Sequence, residues 1–116
     1  MAKGFSSTES FGVAVFTSLA GVAATTTGAT LDSGLVHNNV TLAVTLSFGA
    51  APTAISTQLQ GSLDNVNWFN LGAAQTSLVA GTTAVSATGS PAQFFRATTT
   101  ITGGTAPVLT GLIAVA

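Results

Sequence analysis

The sharpest pattern in the chain lies over residues 40–48, VTLAVTLSF, where Val40, Leu42, Val44, Leu46 and Phe48 alternate with Thr41, Ala43, Thr45 and Ser47. Strict period two predicts a β-strand with one face buried. Gly49, Ala50, Ala51 and Pro52 form a turn. A second strand follows, with Ile55, Thr57 and Leu59 on one face and Ser56, Gln58 and Gln60 on the other. The two read as an antiparallel neighbouring pair. Asp64 and Asn65 make the next turn, which leads to a short strand over 67–71 that carries the single Trp and ends at Gly72. Further strand-like runs cover 78–80, 83–87, 94–101 and 108–115, and two more lie near 11–16 and 21–26. Turn signals recur at the ~8–12-residue spacing of all-β sandwiches, which predicts an antiparallel β-sandwich of about eight strands. Helix is disfavoured because Thr, Val and Gly dominate where good helix formers would stand.

No internal repeat and no linker divides residues 11–116, which read as one sandwich domain. The first ten residues, MAKGFSSTES, are polar and hold two of the five charges. They are either an arm ordered on a partner or a frayed terminus. As an arm, they make Met1, Ala2, Lys3, Gly4 and Phe5 candidate interface residues.

Composition narrows the function. Thr, Ala, Gly and Ser supply 64 of 116 residues, and only 4% are charged, against roughly 25% in an ordinary domain. A net charge of −1 is too little for a phosphate-neutralising surface or for attraction to anionic lipid, so no nucleic-acid or membrane partner is expected. Near-zero charge also leaves little repulsion between copies, which points to a life in contact with other subunits. Apolar content of 47% and clear periodicity argue against disorder.

With no Cys, one His and three carboxylates, neither a metal site nor a nucleophile–base–orienter set is supplied. No cofactor and no catalytic residue is expected. The most apolar stretch, 11–24, is 14 residues long and broken by Thr17 and Ser18, short of the ~18–20 that span a bilayer. Polar residues 6–10 stand where a signal peptide has its basic end, so the protein is expected to stay in the cytoplasm of the cell that makes it.

Few side chains invite chemistry. Asp64, Asn65 and Asn67 alternate like the start of a calcium loop, but the further acidic ligands are missing and a β-turn explains them. His37 reads as a loop residue. Trp68 and Phe69 must point to opposite faces of a strand. Trp68 is expected in the core and Phe69 near the surface, where an aromatic could also stack on a sugar. Arg96 offers a site for an acidic ligand or a partner for Asp64, and a structural ion pair or a subunit contact is the expected role. Gly103 and Gly104 read as a strand connection, since no Lys or helix follows.

The runs LQGSLDNVNWFNLG (59–72) and SATGSPAQFFRATTTITGGTAPVLTGLIAVA (86–116) resemble small virion proteins of tailed bacteriophages and, more distantly, the galactose-binding, discoidin-like jelly roll. Ser62, Asp64, Asn67 and Trp68 match that family's hairpin as turn and core residues, and Phe94 and Arg96 match its later aromatic–x–Arg strand. Asn65 replaces a Gly of the pattern, and Gln93 stands where sugar-binding members often have a basic residue. The resemblance implies a jelly-roll-like sandwich and a capsid decoration protein of the virion surface. It also implies trimers in contact with the major capsid protein, stabilising its capsomers. A virion-displayed carbohydrate-binding module and a tail or baseplate component are the alternatives, so a glycan stays on the list of partners. Arg96 joins residues 1–5 as a candidate interface residue.

Overall fold

The computed structural model describes residues 14–115. The expected arm, with Met1, Ala2, Lys3, Gly4 and Phe5, lies outside them. Seven strands follow in chain order: β1 (Ala14–Val22), β2 (Thr26–Thr27), β3 (Leu31–Ser47), β4 (Ala54–Ser62), β5 (Trp68–Gln75), β6 (Gly81–Thr102) and β7 (Val108–Val115). All pairings are antiparallel. The hydrogen-bonded order is β1-β7-β3-β6-β4-β5, with the short β2 beside β6.

This one sheet folds over into a sandwich because its two central strands are long enough to belong to both layers. Residues 39–46 of β3 pair with residues 81–88 of β6, and these segments form an upper layer with β7 and β1. Residues 94–102 of β6 pair instead with β4, which pairs with β5, to form the lower layer. Both long strands turn at the same place. The β3–β6 register slips on either side of His37, near Gly34 (φ 77°), Gly89 (φ 85°) and Pro91. Positive φ is open to glycine at little steric cost, and proline has no N–H to give the ladder.

The period-two pattern supplies the filling. Leu42, Val44, Leu46, Leu109, Ile113 and Val115 point down from the upper layer. Ile55, Leu59, Leu71, Phe95 and Ala97 point up from the lower one, and all join a single buried cluster. Two buried polar groups sit within it without loss. The Thr57 and Thr99 hydroxyls bond each other at 3.0 Å, and Ser18 Oγ donates to the Ala29 carbonyl and accepts from the Ala97 N–H. No buried side-chain N or O among the described residues lacks a partner.

Five expectations need correction. The strands over 40–48 and 55–60 are not neighbours: β3 lies between β6 and β7, and β4 pairs with β6 and β5. The connection after β3 does not close a hairpin, because Gly49 and Ala50 bond back to Thr105 and so carry the chain to the other layer. The runs over 83–87 and 94–101 are one strand, continuous through Pro91. Residues 78–80 form no strand, with Val79 exposed. His37 is in β3 opposite Ala92 rather than in a loop.

Candidate binding face

The β4–β5 connection is built by its own side chains. Ser62 is fully buried, and its Oγ accepts from the N–H groups of Asp64 and Asn65 while donating to Asp64 Oδ1. Asp64 Oδ1 also accepts from the N–H groups of Val66 (2.9 Å) and Asn67 (2.8 Å), and Oδ2 accepts from the Asn67 side-chain amide at 2.7 Å. Asn65 takes the left-handed conformation (φ 61°), tolerated better by Asn than by most residues. These donors hold the Asp64 carboxyl far below the usual carboxylate range, with the Asn67 N–H the largest cause, then the Val66 N–H, the Asn67 amide and the Ser62 hydroxyl. Both carboxylate oxygens thus accept hydrogen bonds within the turn itself.

Register then sets two rows across the outer face of the lower layer. In the first, Trp68, Ser62, Phe94 and Asp32 are cross-strand neighbours; in the second, Asn70, Gln60 and Arg96. Arg96 reaches diagonally from the second row, so that its guanidinium carbon stands 4.1 Å from the centroid of the Trp68 ring, within cation–π range. Its Nε donates to Gln60 Oε1 at 2.9 Å, and Gln60 Nε2 donates onward to Asn70 Oδ1 at 3.1 Å. The expected ion pair is replaced by an aromatic ring and an amide.

Of the two aromatics, Phe69 stays near the surface as expected, but Trp68 does not join the core. Trp68 is half-buried on the outer face, whereas Phe69 turns to the inner face and keeps 37% of its surface exposed. The reason is opposite Phe69: Gly61 has no side chain, and a Cβ there would stand 2.8 Å from the Ala92 Cβ and 2.9 Å from Leu71 Cδ1. Phe69 can lie over that gap. Trp68 has Ser62 as its neighbour and covers it, together with Phe94.

Large apolar side chains gather beyond the first row. β3 and β4 both run antiparallel to β6, so they leave the row in the same direction. Leu35 and Val36 then emerge at the same end as Leu63 and Val66. They are 71%, 56%, 59% and 74% exposed respectively, with Phe69 just behind them. Sequence periodicity missed this apolar tip because these residues lie in a bulged stretch and a turn. On the flank of the tip, Asp32 Oδ1 accepts from Gln93 Nε2 and from the Gly34 N–H, and these lower the carboxyl, Gln93 first. No three His, Asp or Glu side chains among the described residues lie close enough together to hold a metal ion.

No protein-family model and no curated protein matches the chain. Among solved structures it is similar to the prophage-derived protein YomS of SPBc2, with a TM-score of 0.55 and 16% identity over 90% of this chain and 93% of that one. It is also similar to a carbohydrate-binding module from Clostridium perfringens solved with GalNAc-β-1,3-galactose (TM-score 0.49, 15% identity, 71% and 62% coverage). A third match is a chain of infectious bursal disease virus, strain Gx (TM-score 0.49, 13% identity, 89% and 31% coverage). At these identities the likeness is one of fold.

Proposed function

We propose that this protein is a non-enzymatic structural component of a bacteriophage virion, a decoration protein that binds the outside of the head and ties capsomers together. The observation that carries the reading is the apolar tip. Leu35, Val36, Leu63, Val66 and Phe69 are held at one end of a body with almost no charge. Large apolar side chains left this exposed at one end mark a surface suited to meeting a partner. Burying it against a shell protein would contribute roughly 25 cal/mol per Å², and many copies on one particle would add avidity without further contacts. The sandwich shared with a prophage-derived protein and the hairpin resemblance support the choice of a phage particle.

Quantitative mass spectrometry of purified particles, beside a size measurement of the isolated protein, tests this. Hundreds of copies per particle and small oligomers, trimers first, are the expected result. Absence from particles sinks the reading. The half-exposed Trp68 keeps a second reading in play, a virion-displayed carbohydrate-binding module. That reading requires retention on a neutral-glycan array, with loss in Trp68→Ala.

A further inference from the structure

The outer face of the lower layer has a lopsided supply of hydrogen-bonding groups. The two amides beside Arg96 are chained head to tail, so that Gln60 Oε1 is taken by Arg96 and Asn70 Oδ1 by Gln60. What remains around the guanidinium is donors. Arg96 gives only its Nε–H to a described residue, which leaves the N–H groups of both terminal guanidinium nitrogens, and the Asn70 side-chain NH2 adds two more. The two described carboxylates that flank the face do not answer them. Asp64 is taken up by its turn, and Asp32 by Gln93 and Gly34.

Charge and rigidity point the same way. The chain has two Lys or Arg residues, Lys3 and Arg96, and Arg96 is the one among the described residues. It stands over the Trp68 ring and is pinned at Nε, so little rotamer freedom is left to lose when a ligand engages its fork. One face of the indole is covered by the guanidinium, which removes that face from sugar stacking and offers a planar set of donors in its place.

We propose that the Arg96–Trp68 stack is a docking site for a carboxylate, supplied by an Asp or Glu side chain of a partner protein. The terminal guanidinium nitrogens take the two carboxylate oxygens side by side, the bidentate geometry that makes Arg–carboxylate pairs strong, and Asn70 Nδ2 supplies a neighbouring donor. That the acid sits on a protein rests on the virion reading above; the need for an acid rests on the donors.

The single Trp makes the site its own reporter. Trp68 fluorescence, titrated at constant ionic strength with N-acetyl-glutamate α-amide, should show a saturable change. The isosteric N-acetyl-glutamine α-amide should show none. Arg96→Gln should weaken binding by at least about tenfold, the worth of a charge-assisted hydrogen bond. Arg96→Lys should retain only part of the affinity, because an ammonium cannot form the fork. Should Arg96→Gln fail to fold, Asn70→Ala serves as the second variant and should weaken binding several-fold. Equal responses to the glutamate and glutamine derivatives, or a response that never saturates, overturn the site. Tighter binding of glucuronate than of the glutamate derivative overturns the assignment to a protein partner. The titration uses the isolated protein, so absence from particles would defeat the virion reading and leave this result standing.

Discussion

The two outer faces of the sandwich solve the same problem differently. On the upper layer the exposed row is Thr41, Ala43 and Thr45 on β3 against Ser86, Ala84 and Thr82 on β6. The hydroxyls bond across the strands, Thr41 to Ser86 at 2.9 Å and Thr45 to Thr82 at 3.0 Å. Each hydroxyl is donor and acceptor in one, so such a ladder satisfies itself and presents water with a neutral surface. On the lower layer, rings, amides and a guanidinium occupy the equivalent rows, and the guanidinium gives only its Nε–H to a described residue. A face of hydroxyls is closed; a face with a guanidinium is open to an acid. The same backbone geometry thus yields an inert side and a recognising side, and side-chain chemistry alone decides which is which.

That contrast can be broken by mutation. Trp68→Ala should cost the most, about 2 kcal/mol, roughly half of what a fully buried Trp loses. It uncovers Ser62 and frees Arg96 from its platform, and urea unfolding measures it. Ser62→Ala comes next, at about 1–2 kcal/mol, because it strips the Asp64 and Asn65 N–H groups of their buried acceptor. The acid response sharpens the same point. Asp64 and Asp32 are both held below the usual carboxylate range when folded, so their contribution is fully present above the unfolded value of about 3.9, begins to fall below it and is lost as pH drops through the lower folded values. Thermal melts from pH 6 to pH 2 should therefore show a falling Tm, with a shallower fall in Asp64→Asn. Arg96→Gln should cost about 0.5–1 kcal/mol, the worth of an exposed cation–π contact. The upper-layer counterpart Thr45→Val should stay within about 0.5 kcal/mol. A loss at Thr45 equal to that at Ser62 would show that the upper ladder is no passive surface.

How far the sequence announces all this depends on how local each cause is. Residues 40–48 and 108–115 alternate because one face of each strand is buried along its length, and that is visible in the residues themselves. The turn of Ser62, Asp64 and Asn67 is equally legible, since its bonds span two or three residues. The first part of β3, LDSGLVHN, shows no alternation. It is a strand because Leu31 and Asp32 find Phe95 and Phe94, some sixty residues away. The orientation of Trp68 was out of reach for the same reason. NWFNL carries aromatics of both parities, and only the pairing of Phe69 with Gly61 decides between them. Arg96 stood out as a lone cation, yet its ring and amide partners lie on β5 and β4 and are chosen by register.

One feature of the topology bears on how the molecule is made. Among the described residues, β1 has a single sheet neighbour, and that neighbour is β7, the last strand described. During synthesis β1 must wait, with this ladder unpaired, until β7 has left the ribosome. Non-local pairings of this kind fold slowly, because loop closure is entropically costly before any contact repays it. The low-charge chain therefore passes through an interval in which open strand edges and neutral surfaces can meet those of other copies. A protein made in large numbers with this strand order would do best where synthesis is dispersed or a holding chaperone is at hand. Its yield should fall as expression is driven harder, well before its folded stability is in question.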